Sequence, residues 1–263
     1  MIGCPFFILH YKKNVERKAY LERALAGRIT PVWVEAMDQG EFPLDQIYSF
    51  DPERFFQQIM SIKDCMIAGT LKQGRMRSWP WAECVRLVRD LNLTAEQVLK
   101  DHSWLAPQRL TPGEASLVLK HRLAWEAIAA GQSDYAIVAE DDVVLLDNSL
   151  DYLSGILKLL PPDFDYIDLA GGVGLLPAHG DPQVNTYFFE IAPPRDRTSC
   201  CAIVRKRFAQ RVMHVDSPIV LGSDWMLTYL FNQTQAKVYW VDPLVFGHGS
   251  QMKIYKSNLI ADV

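Results

Sequence analysis

The sequence predicts an α/β domain with a mostly parallel central sheet and an inserted helical sub-domain. The chain opens with a strand–helix–strand pattern over residues 5–37, which is typical of a parallel unit in nucleotide-binding folds. A capped helix at 110–131 leads directly into an apolar strand that ends in three acids. Between these parts, residues 42–107 carry helical patterns and no clear strand. We therefore expect one domain over 1–263, with 42–107 as a sub-domain inserted in it.

Composition places the chain among ordinary globular proteins and argues against some partners. Its 263 residues suffice for one large domain, and 49% apolar with 22% charged residues is a common balance. The net charge of −4 provides no basic field for nucleic acid. Five cysteines without metal-type spacing predict reduced thiols in a cytoplasmic protein, with the adjacent Cys200 and Cys201 as core residues.

The sequence favours at most a peripheral contact with membranes. The opening residues lack a charged leader and a small-residue cleavage site, so we expect no signal peptide. No apolar run approaches the roughly 18 residues of a membrane span. Between Lys63 and Arg89, six basic residues face only two acids, and two tryptophans lie among them. This stretch of the insert is either a solvated basic face or a surface for an anionic glycolipid or membrane.

The opening unit reads as a buried strand, a charged amphipathic helix and a second strand. The strand is PFFILHY (5–11), the helix follows Asn14 as its N-cap, and TPVWVEAM (30–37) is the second strand. Neither a GxGxxG pattern nor a P-loop is present. A dinucleotide-binding or ATP-hydrolysing function therefore loses its main support.

The strongest predicted helix is LTPGEASLVLKHRLAWEAIAAG (110–131). Thr111 is the expected N-cap, Glu114 completes a capping box, and Gly131 ends the helix. Glu114 and His121 share one face with apolar residues such as Trp125. Polar groups on an apolar stripe need partners, so His121 is either a satisfied core histidine or part of a site.

Later segments supply the remaining strands and one more helix. We expect a helix at SDWMLTYLF (223–231). The candidate strands are FDYIDLAGG (164–172), TYFFEIA (186–192), CCAIVRK (200–206), KVYWVDP (237–243) and PLVFGHGS (243–250).

Glu140, Asp141 and Asp142 follow the apolar strand after the capped helix. In open α/β sheets, ligands bind beyond the carboxyl ends of the strands. An acid-x-acid pattern there suits a hard divalent cation, whose charge removes the repulsion among the carboxylates. Such an ion would also neutralise charge on a departing diphosphate. The alternative is a short acidic turn without a ligand.

Four segments together resemble glycosyltransferase family 25, whose bacterial members build lipooligosaccharide, commonly as β-1,4-galactosyltransferases. These segments are FILHYKKNVERKAYLERAL, LTPGEASLVLKHRLAW, AIVAEDDVVL and GSDWML, and they are spread across most of the chain. The sequence departs from the family pattern at Lys120, where family members have serine before the helix histidine. The long 42–107 insert is a second departure.

The resemblance implies a GT-A-like single nucleotide-sugar-binding domain that transfers a hexose with inversion. The donor would be UDP-galactose, the acceptor a lipooligosaccharide or lipopolysaccharide core glycolipid, and the cofactor Mn²⁺ (or Mg²⁺). The implied metal ligands are Asp142, Glu140 and His248. The residues expected on the donor side are His10, Tyr11, Arg17, Met37, Glu114, Lys120, His121, Glu140, Asp141 and Asp142.

Direct displacement with inversion needs a base opposite the leaving diphosphate. Asp224, in the first turn of the predicted 223–231 helix, is the expected base, and Trp225 beside it would stack on the acceptor sugar. Alternatively, Asp224 only complements the helix dipole and Trp225 is a core residue.

Two other functions compete with the transferase. A metal-dependent phosphohydrolase also places acids after a strand, but it would need an aspartyl nucleophile in a DxD pattern or a second metal cluster, and neither follows the apolar strand that ends at Glu140. A non-catalytic protein that binds a nucleotide sugar or a glycan would show no donor turnover.

Overall fold

The computed structural model describes residues 2–44, 57–58, 60–62, 94, 97, 110–172, 175–177, 180–215 and 221–257. Nearly all of the predicted 42–107 sub-domain lies outside these ranges. The prediction that it is helical, and the basic stretch between Lys63 and Arg89, therefore stay predictions.

The described residues form nine strands and five helices. The strands are β1 (Phe6–Leu9), β2 (Pro31–Val34), β3 (Tyr135–Glu140), β4 (Val143–Leu145), β5 (Tyr166–Asp168), β6 (Phe188–Glu190), β7 (Cys201–Arg205), β8 (Val238–Val241) and β9 (Phe246–His248). The helices are α1 (Val15–Leu25), α2 (Pro112–Ala130), α3 (Ser149–Ile156), α4 (Lys206–Val212) and α5 (Ser223–Thr234).

Seven strands form the central sheet in the order β2-β1-β3-β7-β5-β8-β6. From the pairing directions, β2, β1, β3, β5 and β8 share one direction, while β7 and β6 run opposite. The predicted α/β class with a mostly parallel sheet is confirmed at this level. The candidate strand 243–250 does not join the central sheet, because its strand β9 pairs with β4 in a separate two-stranded sheet.

The opening strand–helix–strand unit is confirmed as parallel. Leu9 pairs in register with Val34 on β2 and with Glu140 on β3. The carboxyl ends of three adjacent parallel strands therefore lie at one edge of the sheet, and the acids after β3 lie beside the loop after β1.

The core has two apolar layers, one on each face of the sheet. Along a strand, successive side chains point to opposite faces. Phe7 and Leu9 thus join the layer under α2, α4 and α5, and Phe6 and Ile8 join the layer under α1 and α3. Trp125 on α2 is 2% exposed and fills the first layer. The site below is built on a sheet that is covered on both sides.

Helix α2 begins at the capping box that the sequence predicts. The Glu114 amide donates to Thr111 Oγ1 at 3.2 Å, and the Thr111 amide donates to Glu114 Oε2 at 2.8 Å. These bonds satisfy two amides that the first helical turn would leave without partners. Gly131 is the C-cap. The described part of the chain contains no helix long and apolar enough to cross a membrane.

Candidate functional site

A cleft of about 250 Å³ opens at the carboxyl ends of β1 and β3. Its walls come from the loop after β1, the first turns of α2, the acids after β3, the start of α5 and the segment after β9. Several residues that the sequence singles out line it together, namely Tyr11, Arg17, Lys120, Glu140, Asp141, Asp142, Asp224 and His248.

Asp141 is buried and fully engaged by the loop after β1. Its Oδ2 accepts from the Tyr11 amide and Asn14 Nδ2 at 3.0 Å each, and lies 3.0 Å from His10 Nδ1. Its Oδ1 accepts from Arg17 Nη1 at 2.7 Å. Asn14 holds the N-cap position of α1, as predicted, but its side chain makes no cap bond because it binds Asp141 instead.

These contacts decide the charge of Asp141. Burial alone would raise the pKa of its carboxyl, but the hydrogen bonds from His10 and Asn14 and the Arg17 charge lower it below the ordinary value. An ionised carboxylate with this many donors fastens β3 to the β1–α1 loop. The expected position of Asp141 beside a donor stays a prediction.

Lys120 is also a buried connector. Its ammonium donates to the carbonyls of His10 at 2.8 Å and Ala36 at 3.0 Å, and forms an ion pair with Asp38 Oδ1 at 2.6 Å. Its side chain is only 4% exposed. The ammonium therefore ties α2 to the loops after β1 and β2. The donor-side role expected for Lys120 would require it to give up these contacts.

Three potential metal ligands come together behind the acids. Asp142, Cys200 and His248 offer one ligand atom each, all within 4.8 Å of one another. His248 Nε2 lies 3.3 Å from Asp142 Oδ2, and Cys200 Sγ lies 3.9 Å from Asp142 Oδ1. The group could hold a metal ion. This metal-competent group contains two of the three predicted ligands, Asp142 and His248. Its third member is Cys200, and the predicted ligand Glu140 is not part of it.

Ionisation in this group is tightly linked. Burial raises the pKa of Asp142 and lowers that of His248, but their mutual attraction prevails, so the Asp142 pKa is lowered and the His248 pKa is raised. Burial and the neighbouring carboxylates raise the pKa of the Cys200 thiol well above its ordinary value. Without a metal, the contact between Asp142 and His248 therefore favours the ionised carboxylate and the protonated imidazole, and burial favours the protonated thiol.

Ser199 links two carboxylates on the other wall of the cleft. Its hydroxyl donates to Glu140 Oε1 at 2.5 Å, and its amide donates to Asp224 Oδ1 at 2.9 Å. Its hydroxyl oxygen also lies 2.8 Å from that of Ser223. Glu140 is thus directed towards Ser199, which explains its absence from the metal-competent group.

Asp224 is the cleft carboxyl with a raised pKa. Burial is the main cause and the Glu140 charge the second, and both outweigh the hydrogen bonds from Ser199. A raised pKa makes a carboxylate a stronger base, which is what a residue that accepts a proton needs. Asp224 also lies in the first turn of α5, where a carboxylate complements the helix dipole.

Five predicted site residues lie outside the cleft lining. The Glu114 carboxylate is engaged in the cap of α2, and His10 is buried against Asp141. Met37 adopts φ 63°, and its carbonyl accepts from Ser116 at 2.6 Å. His121 is buried with Nε2 3.9 Å from Glu140 Oε1. Trp225 packs against the core layer under α2, as its alternative interpretation holds.

Sequence reasoning missed Ser199 and the ligand position of Cys200. Both lie just before β7, which pairs antiparallel with β3. Ala139 pairs with Cys201, and the Glu140 amide donates to the Cys200 carbonyl at 2.7 Å. Nothing in the local sequence marks this pairing. Because β7 runs antiparallel to β3, its first residues lie beside the carboxyl end of β3, where the acids are. Sequence patterns do not reveal strand direction, so these two residues could not be found from the sequence.

Comparison with known proteins adds no assignment. No protein-family model matches the chain. No curated protein matches it at a significant level.

Proposed function

We propose that the protein is an inverting, metal-dependent glycosyltransferase that transfers galactose from UDP-galactose to a lipooligosaccharide or lipopolysaccharide core. One observation carries the proposal: a metal-competent group and a carboxyl with a raised pKa share one cleft at the carboxyl ends of the sheet. The resemblance of four segments to glycosyltransferase family 25 supplies the reaction class, the GT-A-like fold and the donor. The mixed α/β sheet is compatible with that fold.

In this proposal, the donor binds on the side of the cleft that carries Asp142 and His248. Asp142 and His248 would hold a divalent cation, Mn²⁺ by the family resemblance, and that cation would supply positive charge for the leaving diphosphate. Arg17 lines the same cleft and keeps the β1–α1 loop in place through Asp141. The loop would then meet the nucleotide, and the cleft would exclude water from it.

The acceptor binds on the opposite side of the cleft, which carries Glu140, Ser199 and Asp224. Asp224 would take the proton from the attacking acceptor hydroxyl. As the new glycosidic bond forms, the bond between the anomeric carbon and the diphosphate breaks and UDP leaves. The Ser199 amide donates to Asp224 Oδ1 at 2.9 Å and so fixes the orientation of this carboxyl. Glu140 contributes by its charge, because a nearby carboxylate keeps the pKa of Asp224 raised. Glu140 and Asp224 are joined through Ser199, so a change at either one affects the other.

The acceptor would be presented at a membrane surface. We place the protein peripherally on the cytoplasmic side of the inner membrane, where a lipid-linked core is assembled, and assign the basic stretch of the 42–107 insert to the glycolipid. That assignment stands on the sequence.

A thermal-shift screen of UDP-sugars with and without Mn²⁺ tests donor binding. A ligand that binds only the folded state stabilises it by about 2.7 kcal/mol at about 100 times its Kd. We expect UDP-galactose to raise Tm in the presence of Mn²⁺ and much less in its absence. No shift with any UDP-sugar would contradict the proposal.

Release of UDP and phosphate separates the competing functions. A transferase releases UDP from UDP-galactose when Mn²⁺ is present. A binding protein shows the thermal shift without UDP release. A phosphohydrolase instead releases phosphate from simple phosphomonoesters.

A further inference from the structure

The metal-competent group contains a thiol that a site for hard cations does not need. We propose that Cys200 is a direct metal ligand together with Asp142 and His248, and that its thiolate makes the centre select Zn²⁺, Co²⁺ and Cd²⁺ over Mg²⁺. Mn²⁺ would bind with intermediate affinity. The inference concerns the metal centre alone and does not depend on glycosyl transfer.

The spacing of the ligand atoms fits one small cation. With metal–oxygen and metal–nitrogen bonds of about 2.1 Å, tetrahedral ligands lie about 3.4 Å apart, and a sulfur ligand at about 2.3 Å lies about 3.6 Å from an oxygen. His248 Nε2 and Asp142 Oδ2 are 3.3 Å apart, and Cys200 Sγ and Asp142 Oδ1 are 3.9 Å apart. These two distances involve different oxygens of Asp142. One ligand atom from each of the three residues lies within 4.8 Å of the others, so the widest pair would close by up to about 1.2 Å to meet at one ion.

The fold holds the three ligands on separate, well-packed segments. Asp142 follows β3, Cys200 precedes β7, and His248 ends β9 and pairs with Val143 on β4. The Glu140 amide donates to the Cys200 carbonyl at 2.7 Å, which fixes the thiol beside the acids. Three ligands from rigid elements preserve their spacing without a bound ion.

Burial gives the centre a closed side and an open side. Cys200 is fully buried, whereas Asp142 and His248 line the cleft. An ion bound by the three ligands would have the buried Cys200 thiol on one side and the open cleft on the other. Three protein ligands with an open position are typical of catalytic zinc-type sites, not structural ones.

The chemistry of the donor set determines the selectivity. Thiolates favour Zn²⁺ and similar soft or borderline ions, while carboxylates and water suit Mg²⁺ and Mn²⁺. Binding exchanges one bond for another: the S–H bond of Cys200 breaks, a sulfur–metal bond forms, and the proton passes to solvent. No electron is transferred.

Cys201 provides a matched control. It is the next residue, it is equally buried, and it lies outside the ligand group. A thiol that served only as core filler would give the same result at both positions. Cys4 and the two cysteines of the insert are also present in every variant, so their contribution cancels.

The test is a Co²⁺ titration of the metal-stripped full-length protein, followed by absorption. We expect a near-ultraviolet sulfur-to-cobalt charge-transfer band in the wild type and in Cys201→Ser. Cys200→Ser should lack the band and bind Co²⁺ at least about tenfold more weakly, because loss of an outer-shell partner alone costs about 10–100-fold. Competition with Mg²⁺ should not displace Co²⁺ from the wild type, whereas Zn²⁺ should.

Two results would overturn the inference. One is a wild type that binds Co²⁺ without the band, and the other is a band that persists in Cys200→Ser. If Cys200→Ser does not fold, Cys200→Ala replaces it, and a band that persists in Cys200→Ala overturns the inference in the same way. No sugar nucleotide is present in the titration, so a positive band in a protein without transferase activity refutes the proposed function and leaves the ligand set standing.

Discussion

Asp141 and Asp142 are adjacent carboxylates with different surroundings in the cleft. Asp141 accepts from three side chains and an amide of the first loop and helix, so its charge is neutralised within the fold. Asp142 instead meets His248 and Cys200 and keeps its carboxylate available to a cation. At the residue scale, the first acid stabilises the site and the second can bind a ligand.

Asp141→Asn tests the stabilising role. Removing one partner of a buried ion pair costs on the order of 3 kcal/mol, because the Arg17 charge is left without its counter-ion. We expect this loss in the free energy of unfolding, measured by urea at neutral pH. The exposed Asp151, which pairs with Arg28, provides a control: Asp151→Asn should change little.

The same variant carries a pH signature. The folded-state pKa of Asp141 lies below its unfolded value of 3.8, so its contribution is fully present above 3.8 and declines as the pH falls through the folded pKa. The stability difference between wild type and Asp141→Asn should therefore shrink in acid. A stability difference that stays constant with pH would show that the ionised Asp141 carboxylate does not provide this stabilisation.

Asp224→Asn tests the base. Asparagine keeps the size and the acceptor for the Ser199 amide but cannot take a proton at neutral pH. We expect turnover to fall by about 10²–10⁴-fold, with donor affinity and Tm nearly unchanged. In the wild type, turnover should fall with acid at a pH above 3.8, because the pKa of Asp224 is raised and the base must be ionised.

Three measurements on this one variant separate the roles of Asp224. A helix-capping residue would lose stability, on the order of 1 kcal/mol, with activity retained. A metal ligand would lose donor affinity in the presence of the cation. Normal turnover in Asp224→Asn would remove it from the mechanism.

At the scale of elements, helix α2 shows how far pattern reasoning reaches. Its capping box and its terminal Gly131 follow from local sequence rules, and the structure confirms both. The role of Lys120 does not, because its partners lie on the loops after β1 and β2, far away in the chain. Local rules predict where an element begins, whereas the partners of a buried charge depend on tertiary packing.

Lys120→Met tests that packing role. Methionine fills similar space but leaves Asp38 and several carbonyls without the ammonium, so we expect a loss of about 3–5 kcal/mol. Lys12→Met is the matched control, since Lys12 pairs with Glu41 at an exposed position. If Lys120→Met had normal stability but bound the donor more weakly, Lys120 would be a donor-binding residue and not a packing residue.

At the scale of the molecule, the α/β class and the position of the cleft could be predicted from the sequence. The apolar strands, the capped helix and the acids after β3 mark the carboxyl edge of a parallel sheet. The antiparallel β7 could not be predicted, because an apolar run carries no information on strand direction. Ser199 and Cys200 enter the site through β7, so the predicted site was incomplete where the topology was unknown.

The central claim is that this cleft transfers galactose with inversion and needs a divalent cation. The most direct measurement incubates metal-stripped protein, with and without added Mn²⁺, with UDP-galactose and purified lipooligosaccharide core. The anomeric configuration of the product is then read by NMR. We predict a β-linked galactoside that forms only with the cation and is absent with Asp142→Asn. An α-linked product, an equal yield without metal, or no transfer at all would contradict the account.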